Sequence, residues 1–182
     1  MSSPDQTPTE LPVALHRSDQ FVGRTMNWLY DHLRLAPRYR IVVFSDTLEN
    51  RDEFPLLEAR NFNRWSFHRL KWLAPCLLHS HSGYTAVGDL LLQKRLDLPC
   101  VVSFYGADVY QLGQRAEWRD RYRQVFDRAL HVLALVPVMA RSGPSPWSGT
   151  RACQSSCIWS GTRQGRRVIG TRNGRCSTRS AP

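Results

Sequence analysis

The chain has 182 residues, enough for one well-buried domain and too few for two of ordinary size. Its formal charge of +10 suggests a polyanionic partner, but 8 of the 25 basic residues are arginines within 141–182, a stretch with no Lys, Asp or Glu. Residues 1–140 carry 17 basic against 15 acidic groups, a net +2, which argues against nucleic-acid binding by the body of the protein. Five cysteines are too few for a disulfide scaffold, and Cys76 and Cys100 sit in apolar runs as small hydrophobes. No apolar run reaches membrane-spanning length. Residues 1–10 are polar and acidic, unlike a secretory leader, so they read as a flexible terminus. The default expectation is cytoplasmic, with peripheral contact at the inner membrane surface left open.

From residue 11 onward, short apolar runs alternate with helical periodicity. Val13-Ala14-Leu15-His16 is the first candidate strand. Within 21–35, Val22, Met26, Leu29 and Leu33 recur on one helix face, with Asp19 placed to cap it. Arg40-Ile41-Val42-Val43-Phe44-Ser45 is a β-branched second strand. Residues 47–61 show no period and read as a loop. Residues 63–73 read as a helix with Trp65, Arg69 and Trp72 on one side, and 76–80 as the third strand. A helix over 85–96 would turn Ala86, Val87, Leu90 and Leu91 inward, and 99–104 is the fourth strand. The strongest helical stripe is Trp118, Tyr122, Val125, Phe126, Ala129 and Leu130 within 117–130. Arg119, Arg121 and Arg123 fall on its solvated face, where weak contact with anionic lipid head groups is conceivable. A fifth strand follows over 131–136. Strands apolar throughout and separated by helical crossovers imply an α/β, Rossmann-like parallel sheet with helices on both faces. In such a sheet ligands bind at the carboxyl ends of the strands, here after His16, Ser80 and Phe104.

At Arg141 the character changes to Arg, Ser, Gly, Thr and Cys without period, a composition that cannot offset its ordering entropy by apolar burial. The expected division is therefore 11–140 as the domain and 141–182 as a disordered basic tail. The tail reads as a natural disordered segment, as a nucleic-acid-binding one, or as out-of-frame translation of GC-rich coding sequence. The genetic code favours the last. Gln154-Ser155-Ser156-Cys157-Ile158, written CAR-TCN-TCN-TGY-ATH, becomes RTC-NTC-NTG-YAT two bases on. That string encodes Val or Ile, two apolar residues, then His or Tyr, as a buried strand would.

Two strand ends carry polar clusters. In His79-Ser80-His81-Ser82-Gly83, strand alternation puts both histidines on one face, and Gly83 allows a tight turn. In Ser103-Phe104-Tyr105-Gly106-Ala107-Asp108-Val109, another apolar strand runs into a glycine turn. Together the motifs resemble the N-terminal domain of family 4 glycosyltransferases, of the GT-B architecture. Members often show His-x-His-x-Gly, a helix, then a Pro-led apolar strand ending in Phe-(His/Tyr)-Gly-x-Asp-Val. Ser18-Asp19-Gln20-Phe21-Val22 resembles the lead-in to the first helix in the capsule- and polysaccharide-building branch. The resemblance covers 11–140.

It implies retaining transfer of a sugar from a nucleotide-sugar donor to a glycan or lipid-linked acceptor, with no required metal or other cofactor. The N-terminal half shapes the acceptor side of the cleft. The donor-binding half would be missing, so the resemblance implies a truncated, inactive transferase. The acceptor-side residues carried over are His81, Gly83, Tyr105, Gly106 and Asp108, and no catalytic residue is assigned. His81 could bond a sugar hydroxyl or phosphate, or cap the next helix. Tyr105 stands where many relatives carry His, and a phenol is a poor base near neutral pH. Gly106 could admit the acceptor or simply turn the chain. Asp108 could orient Tyr105, bind a hydroxyl or cap a turn. His79 lies one layer deeper and reads as structural. Gly23 stands without the glycine pair of a phosphate-binding loop, and Arg24 reads as an exposed helix residue. A zinc site from Cys76, His79 and His81 lacks a fourth ligand at recognisable spacing, so no metal is expected. The alternatives are a non-catalytic α/β carbohydrate-binding module and a basic nucleic-acid-binding protein. The tail reading predicts that a single insertion or deletion near the Arg141 codon restores a long α/β-like frame. Sequencing the gene checks this, and no such frame would refute it.

Overall fold

The structure, a computed structural model, describes residues 11–55, 58–63 and 66–134, and the backbone of four short strands further on. In chain order the elements are β1 (Val13–Phe21), a 3-10 turn (Arg24–Met26), α1 (Asn27–Arg34), β2 (Arg40–Leu48), β3 (Ala59–Asn61) and α2 (Ser66–Leu73). Then come β4 (Leu77–His81), α3 (Gly83–Leu96), β5 (Cys100–Phe104), α4 (Gly106–Tyr110), α5 (Ala116–Phe126) and β6 (His131–Ala134).

Six strands pair in parallel in the order β3-β2-β1-β4-β5-β6, which makes the Rossmann-like parallel sheet expected from the alternation of apolar runs and helices. The chain winds outward from β1 to β3, then returns to the other side of β1. This makes the junction of β1 and β4 the switch point, where the crevice of such a sheet opens. Further on, β7 (Arg151–Cys153) and β8 (Ile158–Ser160) extend the sheet antiparallel from β6, and β9 (Arg166–Gly170) pairs with β10 (Cys176–Ser180). The domain boundary expected at 140–141, the end of the predicted fifth strand and Trp65 lie outside the described residues, as does most of the segment expected to be disordered.

Alternation along the strands makes two cores. Leu15, Val42, Phe44, Leu78, Val102 and Phe104 face one side, where Leu70 of α2, Leu92 of α3 and Val125 of α5 cover them. Val43 faces the other side with Leu29, Tyr30 and Leu33 of α1. The α5 stripe is as predicted: Tyr122 and Val125 are buried, with Trp118 and Phe126 packed against the same cluster.

Several expectations are corrected. β1 runs nine residues, past the polar Arg17, Ser18 and Asp19 that appeared to end it, because β2 pairs with it up to Phe21↔Leu48. Asp19 therefore lies in a strand and does not cap α1; its carboxylate accepts a bond from the Tyr84 hydroxyl at 2.7 Å. The supposed loop over 47–61 contains the end of β2 and all of β3. In α2 the inward residues are Ser66 and Leu70, and Trp72 is 90 % exposed. In α3 the buried face is Gly83, Thr85, Ala86, Asp89 and Leu92, which leaves Leu91 exposed. The cause is electrostatic. Buried Arg17 donates to Asp89 Oδ1 at 2.9 Å, and the Ser80 hydroxyl donates to Asp89 Oδ2 at 2.8 Å. The same guanidinium reaches the Phe44 carbonyl at 2.8 Å and stacks 3.8 Å over the Phe62 ring. Satisfying this buried charge fixes the rotation of α3 at the expense of a leucine.

Gly83 is needed for a different reason than expected. The left-handed residue of its turn is Ser82, with φ 93°. Gly83 begins α3, where an added Cβ would lie 2.3 Å from Phe104 Cε1 and 2.9 Å from Tyr122 Cε1. Both rings are fully buried, so they cannot yield. Gly83→Ala is expected to destabilise the domain by about 1–3 kcal/mol, read as a lower urea midpoint at unchanged slope. An unchanged midpoint would contradict this packing.

Candidate functional site

The two motif turns lie side by side at the carboxyl ends of β4 and β5, which pair with His81 opposite Ser103. One carboxylate joins them. Asp108, 1 % exposed in α4, accepts the Gly83 N–H on Oδ1 at 3.0 Å and the Tyr105 N–H on Oδ2 at 2.9 Å. The Ser82 N–H adds a bond to the Ser103 carbonyl at 2.9 Å. Asp108 is thus a cap shared by two turns. Burial lifts its pKa to about 6 against the opposing pull of the amide bonds. The cap of α3 is Ser82, whose hydroxyl accepts from the Thr85 N–H, which frees His81 from that duty.

His81 is instead held by side chains. Its Nδ1 lies 3.0 Å from the Tyr105 hydroxyl, and its Nε2 lies 2.9 Å from Nδ1 of His16. His79 stacks on His81 with ring centroids 4.2 Å apart and bonds the Ser103 hydroxyl through Nε2 at 2.8 Å. His16 sits opposite His79 in the β1–β4 register, so parallel pairing brings three imidazoles onto one face at the switch point. Their nitrogen donors lie within 4.8 Å of one another, a spacing suited to a metal ion.

Burial lowers the pKa of all three, with adjacent imidazoles adding to the effect for His16 and His81. His79 falls to about 4. The cluster is therefore neutral near pH 7. Each ring then has one donor and one acceptor nitrogen, so the chain Tyr105–His81–His16 can be polarised in either direction. Burial pushes Tyr105 up to about 12, which keeps it a hydrogen-bonding phenol.

A cleft of about 230 Å³ opens beside this cluster, lined by Trp28, His32, His79, His81, Ser103 and Tyr105 among others. The Trp28 ring stands 4.9 Å from that of Tyr105. No Lys, Arg, Asp or Glu lines it among the described residues. Of the sequence-predicted residues, His81 and Tyr105 line the cleft; Gly83 and Asp108 lie behind it. Gly106 has no atom within 4 Å of where a Cβ would stand. Arg24 is an exposed partner of Glu53 at 2.9 Å. Sequence reasoning missed the roles of His16, Trp28 and Ser103. A histidine ending an apolar run was the one available sign of His16, while Trp28 sits on the outer side of its helix.

No protein-family model matches the sequence, and comparison with curated proteins returned no match. Among solved structures, the chain is similar to UDP-GlcNAc 2-epimerase from Neisseria meningitidis bound to UDP-GlcNAc, with 13% identity and a TM-score of 0.49 over 71% of this chain and 42% of that one. It is also similar to a UDP-N-acetylglucosamine 2-epimerase, with 12% identity and a TM-score of 0.45 over 72% and 44%. The chain spans less than half the length of either structure. No helix among the described residues is long and apolar enough to cross a membrane.

For a lowered histidine pKa, the unfolded chain binds more protons between the two values, so stability falls as pH drops from about 6.5 toward 4. Asp108 and Asp89, both raised by burial, act in the opposite direction over the same acidic range. The test is therefore a difference. In chelator-containing buffer, His79→Gln is expected to remove up to one proton's share of the acid-side slope, about 1.4 kcal/mol per pH unit. Urea titrations from pH 7 to 4 check it, and identical slopes for both proteins would refute it.

Proposed function

We propose that this chain forms the acceptor-side half of a family 4-like, retaining sugar transferase of the GT-B kind. In this reading a glycan or lipid-linked acceptor enters the cleft at His81 and Tyr105. The single observation that carries it is the Asp108 clamp, which ties the His-x-His-x-Gly and Tyr-Gly-x-Asp turns together beside the switch point of the sheet. The cleft chemistry agrees with a sugar. Neutral imidazoles and hydroxyls offer both donors and acceptors, and the Trp28 and Tyr105 rings offer apolar faces to a pyranose. Neither packing nor a left-handed backbone demands glycine at 106, which fits a position kept bare for the acceptor.

Transfer breaks the bond from the anomeric carbon to the donor diphosphate and forms one to an acceptor oxygen. Positive charge grows on the sugar and negative charge on the leaving diphosphate. The described cleft has no lysine or arginine to meet that negative charge. A second domain must supply the donor site, and this chain alone is the binding and orienting half. The same lack of cations also favours a non-catalytic carbohydrate-binding module as the second reading.

Glycan-induced shifts of the Trp28 and Tyr105 ring signals in NMR are the direct measurement. Tyr105→Phe and His81→Gln are each expected to weaken binding about 5- to 30-fold, the loss of one buried hydrogen bond. Gly106→Trp should block binding while leaving thermal stability within a degree or two. Mass spectrometry with nucleotide sugars and acceptors should detect no product from this chain alone. Turnover by the isolated chain would overturn the two-domain reading, and glycan shifts that bypass these residues would overturn the site.

A further inference from the structure

We propose that His16, His79 and His81 form a binding site for one divalent transition-metal ion of the zinc class, with its fourth coordination position open to the cleft. The inference does not depend on the sugar reading, and it goes against the resemblance, which implies no metal. It starts from geometry. The three imidazoles offer nitrogen donors within 4.8 Å of one another, from strands whose backbones are fixed by parallel pairing. A tetrahedral ion with nitrogen ligands at about 2.0–2.1 Å needs its donors about 3.3 Å apart. His16 Nδ1 and His81 Nε2 now stand at 2.9 Å, so a few tenths of an ångström of opening would exchange their mutual hydrogen bond for an ion.

The surroundings also suit an ion. Metal-bound imidazoles are oriented by a hydrogen bond on the other ring nitrogen. In His81 the Nδ1–H would donate to the Tyr105 hydroxyl oxygen, 3.0 Å away. In His79 the Nε2–H would donate to the Ser103 hydroxyl oxygen, 2.8 Å away. Imidazole donors favour zinc, cobalt, nickel and copper over magnesium or calcium. Among the described residues no fourth protein ligand joins the group. His79 and His81 both line the cleft, so the remaining position faces it, as in zinc sites that take water or a ligand. The spacing argument from the sequence considered Cys76 as the third ligand. The fold puts His16 in that place from 63 residues upstream of His79.

The test uses the full chain with Cys153, Cys157 and Cys176 changed to serine, because thiolates there would bind zinc independently. After chelation, cobalt is added and the visible spectrum recorded. The expected result is one equivalent with tetrahedral intensity, displaced by zinc and not by magnesium. His16→Gln and His81→Gln should each lower affinity at least 100-fold, and Tyr105→Phe about 10-fold. X-ray absorption on the zinc-loaded parent gives a readout that needs no histidine variant to fold; it should show three imidazole nitrogens. Absence of stoichiometric binding, binding unaffected by His16→Gln, or a shell without imidazole scattering would overturn the proposal. Glycan binding can fail while this site stands, and this site can fail while glycan binding stands.

Discussion

A buried carboxylate with one amide donor on each oxygen determines the shape of the carboxyl edge of this sheet. Asp108 takes the Gly83 N–H from the turn after β4 and the Tyr105 N–H from the turn after β5. Each turn would otherwise leave a backbone donor unsatisfied away from water. An asparagine could accept at only one of its two positions, so the residue has to be an acid. Two independent loops become one rigid rim, and the distance between the His81 ring and the Tyr105 hydroxyl is set by it. Charge at Asp108 is costly by burial and compensated by the amides, which explains a pKa raised only to about 6.

The two faces of the sheet resolve their polar residues differently. Neighbours in β1, Arg17 and His16, point to opposite sides. Arg17 enters the face packed by α2, α3 and α5, where it is tied to Asp89, a backbone carbonyl and the Phe62 ring. Such a buried ion pair adds little net stability. Its effect is positional: it fixes which side of α3 faces inward. His16 enters the face carrying α1, where its ring lies against those of His79 and His81. Stacked neutral rings tolerate burial with few hydrogen bonds, and that leaves nitrogen lone pairs available to a ligand.

The cleft lies beside α1, where the Trp28 ring meets that of Tyr105. Among the described residues its lining holds no Lys, Arg, Asp or Glu, unlike the sites that bind phosphates through cations. Under the proposed function, such a surface suits hydroxyls, apolar ring faces or a soft cation.

Sequence alone determined the parallel α/β class, the presence of five of its six parallel strands, the inward stripe of α5, and the two motif turns. These depend on local periods and on glycine positions, which are written in consecutive residues. Tertiary structure decided what depends on partners far along the chain. Polar Arg17 and Ser18 could extend β1 only because β2 paired with it and Asp89 received the guanidinium. Leu91 was assigned inward by hydrophobicity, yet the rotation of α3 follows its buried Asp89. His16 could not be grouped with His79 and His81 before the register of β1 on β4 was known. Spacing in sequence records what one strand or helix can present, whereas the meeting of three rings from two strands is a property of pairing.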